Sequence, residues 1–552
     1  MMLTKLVEYA EREGLGDPDF ETRQVHYLLD LGQDGRFLGL IPLGDGKGQR
    51  RSGLPRVPSN NNPGSNRFLV ATAEYVFGTE RKVSTPGTER SAAAYRELVG
   101  SAANESGDDG LRALDRFLGD PRCLAEADAA LARLEGQKEN ERFQKVIVPA
   151  LGGKPVHTRE AVRQWWVASR ARGDDGSRLR CLVTGGGGPV ARTHPKIKGL
   201  RDQGALVSFQ EPAYTSQFLE KGENAPISEA AAAKYTEAIN SLLEADPATK
   251  RRKSAIDLDQ AVVIFWTREP SDATSYVLDV LNPPADSGEA VAASMAVWQG
   301  RRSTNFSPTP FYACTLAANT GRVVVRDWLE TTAAAVKQAL DRWLEDLYVG
   351  VGEPEPVPLP RLLKALEVTP ESRNDKRGLP PGLATTLFHA AVLGARLPVS
   401  LLAAAVARMR VPPRKRERGD VLRLRVAVIK AVLRRTYERK EIDVALDENY
   451  TEPAYLLGRL FAVLERLQGE AKGEVNATIR DRYYGAASTT PAAVFPRLLG
   501  LSVHHESKLR KDKKGLANWY DQRKAEIVSK LAAAPLPATL DLQRQGLFAV
   551  GY

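Results

Sequence analysis

VGVGEPEPVPLP, residues 349–360, divides the chain in character. Its four prolines disfavour helix and sheet and favour a stiff, extended connection. Beyond it no alternating strand pattern appears. Apolar residues recur instead at helical spacing in 397–410, 420–436, 453–468, 490–509 and 516–531. Before it, both spacings occur. The expected fold class is α+β: a mixed α/β N-terminal region (1–350), a Pro-rich linker (349–360) and an all-helical C-terminal bundle (361–552).

Working back toward the N-terminus, RVVVRDW (322–328), DQAVVIFW (259–266), 204–209 and RLRCLVT (178–184) read as strands, with a helical pattern at 227–244. Residues 88–134 read as helical. QVHYLLDL (24–31) and RFLGLI (36–41) read as strands either side of a turn at Gln33-Asp34-Gly35. Leu3, Leu6, Val7 and Ala10 share one face of an opening helix.

The chain carries 78 Lys and Arg against 68 Asp and Glu, a net charge of +10, which favours a polyanionic partner. That partner is either nucleic acid or an anionic membrane surface, and the charge does not choose between them. No apolar run reaches the length of about 18 residues that a membrane span needs, so no helix is expected to cross a bilayer; with the resemblance given below, nucleic acid is the expected partner and no membrane is. The opening MMLTKLVEYAEREG has no long apolar core and does not read as a signal peptide. Cys123, Cys181 and Cys314 are scattered and odd in number, a usage that fits a reducing cytoplasm better than a disulfide scaffold.

Catalytic patterns are missing. There is no Walker A, H-E-x-x-H or G-x-S-x-G motif. Gly185-Gly186-Gly187-Gly188-Pro189 lacks the Lys-Ser/Thr of a phosphate cradle and reads as a flexible turn. His504 and His505 are neighbours, pointing about 100° apart on a helix, and do not suit a shared metal. No metal and no cofactor is expected.

Four basic segments suit nucleic acid instead. The loop 42–67 carries Lys47, Arg50, Arg51, Arg56 and Arg67 around Asn60, Asn61, Asn62 and Asn66; Asn can read base edges and Arg can grip phosphate. An ordinary turn-rich loop would have much the same composition. The second is RTHPKIKGLRDQGALVSF (192–209), with Arg192, Lys196, Lys198 and Arg201. The third, QGRRSTNFSPTPFY (299–312), places Arg301, Arg302 and Asn305 among aromatics, a mixture that suits single strands but also occurs in cores. The fourth, 408–440, holds thirteen Lys and Arg against three Asp and Glu. There Val421, Leu424, Val428 and Val432 keep an apolar stripe. Arg414, Lys415, Arg416, Arg423, Lys430, Arg434 and Arg435 could then face a backbone of phosphates, or simply water.

Longer stretches carry a resemblance. ARTHPKIKGLRDQGALVSFQEPAYTSQFLEKGENAPISEAAAAKYTEAINSLL (191–243), NRFLVATAEYVFG (66–78) and FYACTLAANTGRVVVRDWLE (311–330) resemble the large-subunit family of type I-C CRISPR Cascade. So do YLLGRLFAVLERLQGEAKGEVNATIRDRYYGAASTTPAAVFPRLLGLSVHHESKLRK (455–511) and LDLQRQGLFAVGY (540–552). The loop at 42–62 resembles it least.

The resemblance implies a non-enzymatic subunit at the foot of an RNA-guided complex. Its N-terminal domain would read the protospacer-adjacent motif in double-stranded target DNA, and its C-terminal bundle would resemble a Cascade small subunit. The partners implied are the crRNA, the displaced non-target strand, the backbone subunits, the subunit that holds the 5′ handle, the small subunits and a recruited helicase-nuclease. It also implies a small subunit made by internal translation. Met409 is a candidate start, giving a product 409–552; the alternatives are that Met409 is simply a residue of the helix 397–410, and that a start codon other than Met serves upstream. The chief rival is an enzyme, a metal-independent RNA-processing or nuclease component of the same system, for which His194 with Lys196 can be imagined beside a scissile phosphate; the second is a purely structural scaffold that reads no DNA sequence.

Overall fold

The computed structural model describes residues 2–17, 19–21, 25–43, 57–58, 68–77, 86–136, 142–172, 179–209, 212–214, 217–247, 250–258, 261–283, 306–319, 321–350, 357–367, 382–411, 418–443, 445–473, 477–532 and 535–552. They pack as two compact units. One holds 1–241 with 318–323, the other 242–317 with 324–552.

The first unit opens on helix α1 (Met2–Arg12), whose buried Leu6, Val7 and Ala10 are the residues its apolar spacing selects. Strands β1 (Phe20–Glu21), β2 (Tyr27–Leu31), β3 (Phe37–Pro42), β4 (Val57–Pro58), β5 (Ala71–Thr72), β6 (Val146–Leu151) and β7 (Lys154–Pro155) follow. The order β3-β2-β6-β5 forms the main sheet, with β7 also on β6 and β1 paired separately with β4. β2 meets β3 as an antiparallel hairpin, but runs parallel to β6.

The helical stretch 88–134 is broken into α3 (Pro86–Ser106), α4 (Asp109–Gly119) and α5 (Pro121–Glu135), after a short α2 (Ala73–Phe77). The breaks are made by caps. Asp108 accepts from the Gly110 and Leu111 amides at 2.8 and 3.2 Å; Asp120 accepts from Arg122 at 2.8 Å ahead of Pro121. Helices α6 (Glu160–Arg172) and α7 (Glu229–Leu242) complete the unit. Phe68 stacks on Trp166 at 4.9 Å in its core.

Two expected strands are absent. Residues 179–184 are irregular and end in a turn, because the glycine run folds back on them: Cys181 N–H donates to the Gly186 carbonyl at 2.9 Å, and Gly185 sits at φ +73°. Residues 204–209 contribute only isolated bridges, from Gly204 to Ile197 and from Ala205 to Arg322.

The second unit has an antiparallel sheet of β8 (Ala255–Leu258), β9 (Ala261–Thr267), β10 (Pro310–Asn319) and β11 (Arg322–Thr332), in the order β11-β10-β9-β8. Helix α8 (Ala273–Leu281) leaves β9 and α9 (Ala333–Leu347) leaves β11. Nine helices follow among the described residues: α10 (Leu359–Leu366), α11 (Leu383–Leu393), α12 (Val399–Met409), α13 (Arg418–Thr436), α14 (Pro453–Lys472), α15 (Ile479–Ala487), α16 (Pro491–Asp512), α17 (Lys514–Leu531) and α18 (Leu542–Gly551). No described residue beyond 357 lies in a strand. The fold is α+β with a helical C-terminal region. One apolar core runs without a break from Ile256 on β8 through Leu340 and Leu402 to Ala549 on α18.

Candidate nucleic-acid interface

In the first unit, the segment 190–204 is irregular yet fixed. Val190 bridges Ser228, and the Ala191 amide donates to the Ile227 carbonyl at 2.9 Å. The Lys198 amide donates to Asn240 Oδ1 on α7 at 2.7 Å, and the Ile197 amide to the Gly204 carbonyl at 2.8 Å. Ala191, His194 and Ile197 point inward and are buried; Arg192, Lys196, Lys198 and Arg201 are all exposed. This alternation explains the sequence pattern. The apolar positions anchor the loop, and four exposed cations are left along it, a basic ridge in sequence, with Lys196 and Lys198 beside one cleft. Little further entropy is then lost when an anion binds.

His194 is not available as an exposed base. It is buried, its Nδ1 lies 2.6 Å from the Tyr235 hydroxyl, and burial pushes its pKa down to about 4. At neutral pH the ring is uncharged. Beneath the ridge, this loop and α7 enclose a cleft of about 320 Å³.

Helix α13, in the second unit, sorts its cations by its apolar stripe. Arg423 is exposed. Arg425 is buried and donates to the carbonyls of Ala365 at 3.0 Å and Arg408 at 2.8 Å. Lys430, 1% exposed, donates to the Tyr348 carbonyl at 2.6 Å, and burial followed by the nearby Arg434 lowers its pKa to about 8. Arg434 and Arg435 both grip Asp346, at 3.1 and 2.5 Å, and Arg435 also lies over the Trp343 ring at 5.4 Å. Lys430, Arg434 and Arg435 are therefore already engaged inside the unit, binding α13 to α9. The groove of about 1350 Å³ beside Arg423 is lined by six Asp and Glu against Arg423, Lys430 and Arg466, a balance that opposes phosphate.

Among the expected site residues, Lys47, Arg50, Arg51, Arg56, Asn60, Asn61, Asn62, Asn66 and Arg67 lie outside the described residues, as do Arg301, Arg302, Asn305, Arg414, Lys415 and Arg416. The sequence reading did not select Tyr235, Asn240 or Asp346. Tyr235 and Asn240 stand about 40 residues from the loop they hold, with no motif linking them. Among the described residues, no three His, Cys, Asp or Glu side chains converge as metal ligands, and no helix is long and apolar enough to cross a membrane.

A family model described as CRISPR-associated protein (Cas_Csd1) matches residues 6–552. No curated protein matches the chain.

Proposed function

The chain belongs to the CRISPR-associated Cas_Csd1 family, the large-subunit family of type I-C Cascade, and we propose that it acts there by holding target DNA rather than by catalysis. Members of this family are structural subunits of a CRISPR Cascade. In this reading the N-terminal part reads the protospacer-adjacent motif in duplex DNA. The motif-reading residues are those of the loop 42–67, with Asn60, Asn61 and Asn62 at base edges and the flanking Arg and Lys on phosphate. Guide pairing supplies the rest of the sequence specificity, so the protein needs only a short base readout and many backbone contacts. The C-terminal helices stabilise the displaced strand and offer a docking surface to the helicase-nuclease.

The observation that carries this reading is the ridge of Arg192, Lys196, Lys198 and Arg201, four exposed cations on a loop pinned from behind. Such a ridge neutralises phosphates without reading sequence. Replacing all four with Ala should weaken target binding by a similar factor for every target and reduce the slope of log K against log salt by about 3. An unchanged slope would contradict the assignment of this loop to the nucleic-acid interface.

A further inference from the structure

Arg425, Lys430, Arg434 and Arg435 of α13 are committed to carbonyls and to Asp346 inside the second unit. A strand held by the C-terminal helices therefore needs cations from another element, and α16 has them. Arg497, His504, Lys508 and Lys511 follow one another at spacings of seven, four and three residues, so they share one face of that helix. All four are exposed. At 1.5 Å per residue the row covers about 21 Å.

The acids of α16 lie off this row or at its end. Glu506 is buried and pairs with Lys524 of α17, and Asp512 is the last residue of the helix. Arg510 turns the other way, toward Asp521 of α17 at 3.9 Å. Among the described residues, no carboxylate pairs with Lys508 or Lys511. Their charge faces water.

Two neighbouring helices extend the face. Leu467 and Ala471 of α14 pack with Leu509 of α16 in one small core, which brings the C-terminal ends of the two helices together. Lys472, exposed at the end of α14, thus joins the row. Burial first, and then Lys472, His504 and Lys508, hold the His505 ring beneath them below its ordinary pKa. At the other end stands Tyr483 of α15, half-exposed, with the Arg497 guanidinium 5.8 Å from its ring.

A helix lying on a membrane buries a broad apolar face. Here Leu501 stands between Arg497 and His504, 36% exposed, with cations on both sides of it. One row of cations with an aromatic ring at its end suits a single strand instead. Phosphates follow the row, and an unpaired base reaches the ring.

We propose that the face of α16 bearing Arg497, His504, Lys508 and Lys511, with Lys472 beside it, grips the phosphates of one nucleic-acid strand while Tyr483 offers its ring to a base. The grip is tolerant of sequence. The proposal rests on the reading that the C-terminal helices hold the displaced strand.

Photocrosslinking tests it in the assembled complex. Cascade containing the full-length chain is bound to target DNA whose displaced strand carries 5-iodo-dU, irradiated, and the crosslinked peptides are mapped. Crosslinks within 482–511 are expected. Lys472→Ala with Lys508→Ala and Lys511→Ala should cut their yield about fivefold and lower the slope of log K against log salt for target binding by about 2. Arg510→Ala, on the far side of the same helix, should change neither. Crosslinks elsewhere in 361–552 but none within 482–511, or a triple variant with the wild-type slope, would overturn this assignment alone. No crosslink anywhere in 361–552 would overturn the underlying reading as well. Crosslinks within 482–511 only from 5-iodo-dU placed in the flanking duplex would give the face to duplex DNA and overturn the single-strand proposal. Binding to phosphatidylserine vesicles that the triple variant loses, with its crosslinks unchanged, would give the face to a membrane and overturn it too.

Discussion

Gly458 on α14 lies against the backbone of Phe548 on α18, so close that a Cβ at 458 would stand 2.1 Å from the Phe548 carbonyl oxygen. Gly551 makes the reciprocal approach, with its would-be Cβ 2.2 Å from the Tyr455 carbonyl. The two glycines let α14 and α18 meet backbone to backbone. Phe461, Tyr484 and Tyr552 then close into an aromatic cluster at 5.2–5.8 Å, with the Arg480 guanidinium 4.7 Å from the Tyr484 ring.

Gly458→Ala should therefore destabilise the chain by about 1–3 kcal/mol, despite the better helix propensity of Ala. Gly469→Ala is the control. It lies on the same helix, nothing stands within 4 Å of its Cβ position, and it should be neutral or slightly stabilising. Thermal unfolding of the two variants checks this, and equal midpoints would contradict the packing.

Asp346 holds Arg434 and Arg435 together at a site only 8% exposed. Asp346→Ala leaves two buried or half-buried cations without their counterion and should cost about 3–5 kcal/mol. Arg396→Ala, which breaks an ion pair with Glu438 in which both side chains are exposed, should move the unfolding midpoint little. A midpoint for Asp346→Ala within a degree of wild type would show that the cluster is not structural.

Lys430 gives the chain a pH signature. Its folded pKa, about 8, lies below the ordinary Lys value of 10.5. Between those values the unfolded state binds more protons than the folded one, so stability rises with pH across that window. The burial penalty is fully present below about pH 8 and fades toward 10.5. Lys430→Met should flatten the rise, a difference on the order of 1–3 kcal/mol between pH 7.5 and 10. Parallel stability-versus-pH curves for the two proteins would contradict it.

The product 409–552 proposed for internal initiation meets a physical difficulty. Met409 ends helix α12 and is 1% exposed. A chain starting there lacks Asp346 for Arg434 and Arg435, the Tyr348 carbonyl for Lys430 and the Ala365 carbonyl for Arg425. It also loses Leu401, Leu402 and Ala405 from the core. Fragment 409–552 should melt at a lower temperature and bind a hydrophobic dye more than fragment 333–552, which keeps α9 through α12. Equal, cooperative melting of both would remove the objection. Mass spectrometry of a complex expressed from the untagged gene reports where any such product begins.

The helical C-terminal part was legible because its apolar residues repeat at helix spacing over long stretches, as in Leu456, Leu460, Phe461 and Leu464 of α14. The strand β6, VIVPAL, was not. Pro149 interrupts a run that otherwise reads as buried strand, yet Ile147 and Val148 pair with β2. RLRCLVT misled in the opposite direction, since its composition suits a strand but Leu182 N–H bonds to the Pro226 carbonyl beside a turn. The basic patch was legible as charge only. Arg425, Lys430 and Arg435 each find an acceptor 60–89 residues earlier in the chain, and nothing local tells such a buried cation from Arg423 on the surface. The ridge at 192–201 could be read as basic, but the His194–Tyr235 contact beneath it depends on a tertiary approach across 41 residues.

The most direct test of the account is motif preference. A Cascade assembled with the wild-type chain, and one with Asn60, Asn61 and Asn62 all replaced by Ala, are titrated by gel shift onto targets with a correct or scrambled adjacent motif. Each lost base contact removes about 1–3 kcal/mol of discrimination. The account predicts that the ratio of affinities for correct over scrambled targets falls at least tenfold in the variant, while affinity for the scrambled target stays near wild type. A variant that keeps the full ratio would contradict the claim that this loop reads the motif.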